Sequence, residues 1–143
     1  MKIYNLVCKF MRKYPRTIAS RLMSHAKVIE SIIDKDEQIV FAFCGQKNDT
    51  IKMIFDTCIL VGTNKRLIIG QKRILWGYNI INVTPDMFND LKIYSGLYWG
   101  KIEIDTVKEV IYISNIDKRS LDEIETGINN LMINMKGKKQ DVQ

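Results

Sequence analysis

The chain has 143 residues, of which 46% are hydrophobic and 27% are charged, and it carries a formal net charge of +6. This length and composition are typical of a single globular domain, and no apolar run approaches the roughly 18 residues of a membrane-spanning helix. A secretory signal is not expected either, because Lys9, Arg12 and Lys13 interrupt the N-terminal stretch where such a signal is apolar. We therefore expect a cytoplasmic protein that is at most peripheral to a membrane.

The three cysteines, Cys8, Cys44 and Cys58, are expected to be reduced thiols. Their spacing contains no CxxC pair, and an odd number suits a chain that is not exported.

The positive charge is concentrated near the N-terminus. Residues 1–29 carry seven basic side chains and no acidic one, whereas the remaining residues carry 15 basic and 16 acidic side chains, a net charge of −1. A nucleic-acid-binding domain that is basic throughout would look different, and the sequence holds no recognised DNA- or RNA-binding motif. Non-specific binding of nucleic acid through the basic segment is therefore kept only as a secondary alternative.

Residues 1–34 are predicted to form a basic, amphipathic helical segment. Apolar residues recur every three or four positions over 3–14 and again over 18–33, and Pro15 is expected to separate the two helices. The apolar face of the first helix has three open interpretations: it packs on the rest of the domain, on a second copy, or on an anionic membrane surface. Four bases of the segment form a candidate anion or membrane contact: Lys9, Arg12, Lys13 and Arg16.

From Gln38 onwards the apolar pattern changes to that of β-strands. Short runs rich in β-branched residues and bounded by polar or glycine-containing loops predict seven strands. They span 38–45, 54–62, 66–71, 78–83, 90–95, 98–105 and 109–114. The sixth run alternates, with Ile102 and Ile104 on one face and Lys101 and Glu103 on the other.

A C-terminal helix is predicted over 120–135. Ser120 and Glu123 have the spacing of a capping box, in which each side chain bonds the other residue's backbone N–H. One apolar stripe follows, and three of its residues are expected to be buried against Ile102 and Ile104: Ile124, Ile128 and Leu131. The polar residues 136–143 are predicted to be a disordered tail.

About seven strands followed by one amphipathic helix predict an antiparallel barrel whose open end is plugged by the helix. This layout, with an acidic "DE" at 36–37 before the first strand and "TNKRLII" at 63–69, resembles the bacterial pleckstrin-homology (PH) domains, in particular the YokE-like group. The resemblance covers roughly residues 28–135 and implies a PH-like domain over 35–135 that acts as a binding or adaptor module. The helical turns before Pro15 depart from the minimal pattern of that family.

The stretch "GTNKRLII" has two interpretations. Asn tolerates left-handed geometry and polar residues suit an exposed hairpin tip, so a simple turn is the favoured one. Alternatively, Lys65 and Arg66 lie beside Lys72 and Arg73 across a hairpin and form a phosphate-binding patch.

Two tryptophans, Trp76 and Trp99, each neighbour a glycine. Packing of the ring over the missing side chain is the favoured interpretation. If either ring is exposed, that edge of the barrel becomes the leading surface for a protein partner.

No catalytic, metal-binding or cofactor-binding residue is expected. His25 is the only histidine, whereas a zinc site needs three or four converging ligands. The sequence contains no GxSxG, HExxH, Walker-type or GxGxxG motif. We therefore predict a non-catalytic PH-like module that recognises a protein partner or docks on an anionic membrane surface, with homo-oligomerisation left open. A small enzyme with an unmarked active site is the alternative.

Overall fold

In a computed structural model of the chain, residues 1–47 and 56–141 are described. In chain order the elements are α1 (Lys2–Lys13), α2 (Leu22–Glu30), β1 (Ile39–Gln46), β2 (Thr57–Thr63), β3 (Leu67–Lys72), β4 (Tyr78–Val83), β5 (Phe88–Ser95), β6 (Trp99–Thr106), β7 (Val110–Asp117), a 3-10 turn (Lys118–Ser120) and α3 (Leu121–Asp141). This order confirms the predicted succession of helical segment, seven strands and C-terminal helix. Residues 54 and 55 of the predicted second strand lie outside the described residues.

The strands form one antiparallel sheet in the order β4-β3-β2-β1-β7-β6-β5. Strand β1 pairs with β2 over almost its whole length, whereas it pairs with β7 only at Gln46 and Ser114. The two halves of the sheet share this backbone pair, and the sheet curls into a half-barrel, with β4 and β5 as its two edges. The predicted strongly bent, PH-like antiparallel barrel is confirmed in this form.

Helix α3 covers the interior of the half-barrel. Its residues Ile124, Ile128 and Leu131 are buried, as are Ile102 and Ile104 on β6. Ile102 and Ile124 line the same internal cavity, which has a volume of only about 10 Å³. An interior with so little empty space is close-packed, and the predicted burial of these residues is confirmed.

The start of α3 differs from the predicted capping box. Asp117, buried at the end of β7, accepts hydrogen bonds from the backbone N–H of Arg119 at 3.1 Å, and the Ser120 hydroxyl donates to the Asp117 carbonyl at 2.7 Å. The carboxylate of Glu123 instead accepts a bond from Lys13 Nζ at 3.1 Å. The capping-box prediction is wrong, because the last residue of β7 supplies the cap and a 3-10 turn then leads into the helix.

The end of α3 also differs from the predicted boundary. The helix continues through 136–141, for which the sequence predicted a disordered tail. Lysine and glutamine, which supply most of these positions, are good helix formers, and no proline stops the helix. Residues 142 and 143 lie outside the described part of the chain.

The N-terminal helices pack on the outside of the sheet, α1 against β1 and α2 against β3. Ile3, Val7 and Phe10 of α1 are buried, and the ring centroid of Phe10 lies 5.4 Å from that of Phe43 on β1. Helix α1 ends at Lys13, as Pro15 predicts. Of the three interpretations of its apolar face, the structure therefore shows packing on the rest of the domain.

Candidate functional site

The "TNKR" turn between β2 and β3 is hydrogen-bonded to the segment between α2 and β1. Arg66 Nε donates to Glu37 Oε2 and Arg66 Nη2 donates to Glu37 Oε1, both at 3.0 Å, and Nη2 also donates to the Ile32 carbonyl at 3.0 Å. The Glu37 side chain is fully buried. This two-pronged bond ties the segment between α2 and β1 to the β2–β3 turn.

Electrostatics agree with that geometry. Burial by itself raises the pKa of Glu37, but hydrogen bonds from Arg66 and Thr63 outweigh it and lower the pKa to about 2. Lys65 Nζ lies 2.9 Å from Asp36 Oδ1 and 3.7 Å from Asp34 Oδ2. Both bases of the turn are therefore neutralised by acids of the preceding segment, so the stretch is a turn, as favoured.

The four bases of the predicted phosphate patch do not converge. Lys65 and Arg66 precede β3, whereas Lys72 and Arg73 follow along it, about 20 Å away at about 3.3 Å per residue. The interpretation of one patch across a hairpin is wrong, because the two pairs lie at opposite ends of the same strand.

The hairpin between β3 and β4 ends in an exposed apolar tip, residues 73–77, here called the β3–β4 tip. Its three central side chains project into solvent: Ile74 is 53% exposed, Leu75 82% and Trp76 76%. The backbone N–H of Arg73 bonds the Gly77 carbonyl at 3.0 Å, and Gly77 has a φ of +81°, which glycine adopts without strain. The turn geometry leaves these three large apolar residues largely exposed, without a packing surface among residues 1–47 and 56–141.

The base of the β3–β4 tip is held firmly. The buried imidazole of His25 on α2 accepts the backbone N–H of Lys72 through Nδ1 at 2.8 Å. The side chain of Gln71 donates to the Thr57 carbonyl at 3.2 Å and accepts from Asn79 at 3.3 Å. The tip therefore projects from strand ends that hydrogen bonds hold to α2 and β2.

His25 has a structural role here. Burial, and secondarily the charge of Arg21, lower the pKa of His25 to about 4, so the ring is neutral at pH 7 and Nδ1 is free to accept. Burial likewise raises the pKa of Cys44 and Cys58, the latter to about 12, which keeps both thiols protonated and unreactive. Across residues 1–47 and 56–141, no cluster of three or more His, Cys, Asp or Glu could hold a metal ion.

Charge around the β3–β4 tip is mainly positive. The side chains of Lys72 and Arg73 are exposed at its base, and neither forms an ion pair within the described part of the chain. A groove of about 400 Å³ runs beside the tip and is lined by these two bases together with Asp56, Gln71 and Asn79. The structure thus brings together two predicted anion contacts and one predicted partner contact, Trp76.

The hairpin between β5 and β6 has a second apolar tip, residues 95–99, here called the β5–β6 tip. Leu97 is 75% exposed, but Trp99 is only 41% exposed and donates through Nε1 to the Arg16 carbonyl at 2.7 Å. The Arg16 guanidinium stacks 5.1 Å from the centre of the Tyr98 ring. Trp99 and Arg16, predicted as partner and anion contacts, therefore bind each other.

The glycines beside the two tryptophans, Gly77 and Gly100, each meet other parts of the structure. A side chain added to Gly77 would approach only Arg73, at 3.8 Å, and one added to Gly100 would collide with Leu121 of α3. Gly77 serves the turn and Gly100 admits α3. The packing interpretation is wrong for Trp76, whose side chain is largely exposed, whereas Trp99 is held by its bond to the Arg16 carbonyl.

The remaining predicted bases lie on α1. Lys9, Arg12 and Lys13 are exposed, and Lys13 pairs with Glu123 of α3. Lys9 and Lys13 line a groove of about 260 Å³ beside the start of β1. The β3–β4 tip lies beyond the other end of β1, where Gln46 pairs with Thr57. These bases therefore form a surface separate from the tip.

Sequence reasoning missed Ile74, Leu75 and Tyr78 as functional candidates. The signal was present in "RILWGY", where three large apolar residues fall between two predicted strands instead of the polar residues usual at a hairpin tip.

Among the helices of the described residues, none combines the length and apolarity that crossing a membrane requires.

Comparisons with known proteins were made on sequence and on fold. The family model described as bacterial PH domain matches residues 33–130. A pleckstrin homology domain from Shewanella amazonensis SB2B matches with 14% identity and a TM-score of 0.45, over 75% of this chain and 81% of that one. A DUF1696-family protein with a pleckstrin-homology domain from Shewanella loihica PV-4 matches with 17% identity and a TM-score of 0.44, over 77% and 91%. No curated protein matches the sequence.

Proposed function

The chain belongs to the bacterial PH domain family, and from that premise we propose that it is a non-catalytic binding module that docks on an anionic membrane surface through the β3–β4 tip. The observation that carries the proposal is the run Ile74-Leu75-Trp76, exposed at the end of a hairpin and flanked by Lys72 and Arg73.

The tip has the arrangement that an interface between water and lipid favours. Leu75 and Ile74 would enter the acyl boundary, and Trp76 suits the headgroup level, where tryptophan is enriched. Lys72 and Arg73, one or two residues behind, would meet anionic headgroups, each contributing about 1 kcal/mol near such a surface. A convex apolar projection with cations at its base fits a soft, flat surface better than it fits a rigid partner.

Salt-dependent binding to vesicles tests the proposal. We expect the protein to sediment with vesicles of phosphatidylcholine and phosphatidylserine, to bind weakly to phosphatidylcholine alone, and to dissociate as salt screens the charges. Leu75→Ala should weaken binding, since a fully buried leucine contributes about 1.5–3 kcal/mol. Leu97→Ala on the β5–β6 tip is the matched control and should leave binding unchanged.

Two charge reversals of equal size separate the tip from α1. Lys72→Glu with Arg73→Glu should abolish binding, whereas Lys9→Glu with Arg12→Glu should leave most of it. Equal losses in the two variants would indicate non-specific attraction by the whole basic protein. Failure of the unaltered protein to bind anionic vesicles at low salt would end the membrane proposal and favour a protein partner for the tip.

A further inference from the structure

Strand β4 is an edge of the sheet whose sequence leaves it unprotected. Its six residues, Tyr78–Val83, include no charged side chain and no proline. The other edge strand, β5, carries Asp90 and Lys92, and its pairing with β6 shifts register between Phe88 and Asp90. Charges and bulges are the devices by which natural sheets block edge-to-edge pairing, so β5 is protected and β4 is not.

The hydrogen bonds at the two ends of β3 determine which backbone groups of β4 face outward. The N–H of Arg73 bonds the Gly77 carbonyl at one end, and the N–H of Thr63 bonds the Arg66 carbonyl at the other. Hydrogen-bonded and non-hydrogen-bonded pairs alternate along an antiparallel ladder. Counting inward from either end along the observed registers gives the same result: residues 79, 81 and 83 of β4 bond to β3.

Tyr78, Ile80 and Asn82 therefore direct their backbone N–H and C=O groups to the open edge. No further bond to the backbone of these three residues occurs within 1–47 or 56–141. On β5, by contrast, the outward N–H of Leu91 is already bonded to Asp90 Oδ1 at 2.8 Å. The β4 edge thus presents three consecutive outward residues whose backbone groups are available for a ladder.

We propose that β4 pairs with β4 of a second copy of this chain, antiparallel, about a twofold axis at Ile80. In this register Ile80 faces the second copy's Ile80, and Tyr78 faces the second copy's Asn82. All three outward residues then exchange hydrogen bonds with the three outward residues opposite, as an isologous interface requires.

Charge and side-chain chemistry favour a second copy as the occupant. A twofold axis at Ile80 brings any charge near that axis close to its own duplicate, and an uncharged strand avoids that repulsion. The side chains opposed are isoleucine with isoleucine and tyrosine with asparagine. The Asn82 amide oxygen already accepts from Arg66 Nη1 at 3.0 Å, and the charge of that guanidinium is balanced by Glu37. On the opposite face Asn79 lies beside the second copy's Ile81. The charged residues that line the groove beside Ile81, Lys108 and Glu109, are of opposite sign.

The dimer is independent of the proposed membrane contact. Residues 74–76 of the β3–β4 tip lie beyond the paired segment, and antiparallel pairing directs the two tips to opposite ends of the joint sheet. One dimer therefore offers one tip to a given membrane. Loss of the dimer should leave vesicle binding per tip unchanged, and loss of vesicle binding should leave the dimer intact.

The first test measures mass by light scattering across a concentration series with Ile80→Pro. The N–H of Ile80 points outward, so proline removes it without breaking the ladder to β3. We expect a dimer for the unaltered protein and a dissociation constant raised by about tenfold or more in the variant, since each copy loses a central hydrogen bond. Ile93→Pro is the matched control, because Ile93 is a half-buried isoleucine on edge β5 whose N–H also points outward by the alternation counted from the Gly96–Trp99 bond.

The second test reads the register by disulfide formation in a Cys8→Ser background, where the native Cys44 and Cys58 are buried. Chains carrying Tyr78→Cys and chains carrying Asn82→Cys should cross-link when mixed, because opposed residues lie about 5.5 Å apart between Cα atoms, within reach of a disulfide. Neither variant should cross-link with itself.

Three results would overturn the proposal: a monomer at every concentration, a dimer that persists in Ile80→Pro, or cross-linking of Asn82→Cys chains alone. The mixed cross-link decides the matter if Ile80→Pro fails to fold.

Discussion

The two ends of β3 carry the same dipeptide, Lys-Arg, and use it in opposite ways. Before the strand, Lys65 and Arg66 are bonded to acids of the segment that leads into β1. At the other end of the strand, Lys72 and Arg73 lie at the base of an exposed apolar tip without an ion pair in the described part of the chain. A basic pair is therefore a candidate for binding only where the fold does not form ion pairs with it.

The largest expected difference between the two ends is in stability. Arg66→Ala should reduce the free energy of unfolding by about 3–5 kcal/mol, because it leaves the buried Glu37 carboxylate unpaired. Arg73→Ala, the matched control, should change it by no more than about 0.5 kcal/mol, as for other surface substitutions. Urea unfolding of both variants measures the difference, and similar small losses would mean that the Arg66–Glu37 pair does not fasten the turn.

Mild acid should next weaken the end of β3 that carries the tip. The folded pKa of His25, about 4, lies below its ordinary value of 6.5, so the neutral ring is favoured by folding. This contribution is present above pH 6.5 and is lost as the pH falls towards 4, when a protonated Nδ1 can no longer accept from Lys72. Unfolding experiments across this window should show the loss in the unaltered protein and a flatter profile in His25→Gln.

Stronger acid should weaken the other end. The folded pKa of Glu37, about 2, lies below its ordinary value of 4.5, so its contribution is present above pH 4.5 and is lost as the pH falls towards 2. Glu37→Gln should remove this part of the pH dependence and leave the His25 window unchanged. A single shared transition in both variants would contradict the assignment of the two windows to the two ends of β3.

The smallest expected effect is that of Lys65. Its ion pairs with Asp36 and Asp34 are exposed, and exposed pairs contribute little and are screened by salt. Lys65→Ala should lower the melting temperature slightly at low salt and not at all at high salt. Lys72→Ala should not change the melting temperature at either salt concentration, yet it should weaken binding to anionic vesicles.

Much of the fold could be predicted because its signals are local. The alternation in β6 and the apolar stripe of α3 both follow from a repeat in the chain, and the burial of Ile104 and Ile128 follows from those repeats. The capping box failed because Asp117, which takes its place, is positioned by the end of β7 and not by helix spacing.

The candidate site could be predicted only in part, because it depends on contacts between distant segments. The pairing of Arg66 with Glu37 joins residues 29 positions apart, and the bond of Trp99 to Arg16 joins residues 83 positions apart. Nothing local to "LYWG" distinguishes the held Trp99 from the projecting Trp76 of "LWGY". The residue pattern identified both rings, and only the packed fold separates their roles.

The two halves of the sheet meet at the backbone pair of Gln46 and Ser114. Residues 14–21, which link α1 to α2, add hydrogen bonds beside this pair, and the junction is here called the seam. Ile18 donates its N–H to the Asn115 carbonyl and accepts from the Gln46 side chain, and Thr17 Oγ1 accepts the N–H of Asp117. Two of these bonds join residues about 100 positions apart, and closing loops of that length costs conformational entropy before the contacts stabilise the fold. Each half of the sheet can form from neighbouring hairpins. The long-range bonds of the seam, by contrast, need residues 17 and 18 together with residues 115 and 117. The hydrogen-bonded unit therefore extends beyond residues 33–130, and a fragment cut to those limits would keep the Gln46–Ser114 pair but lack the bonds that Thr17 and Ile18 add beside it.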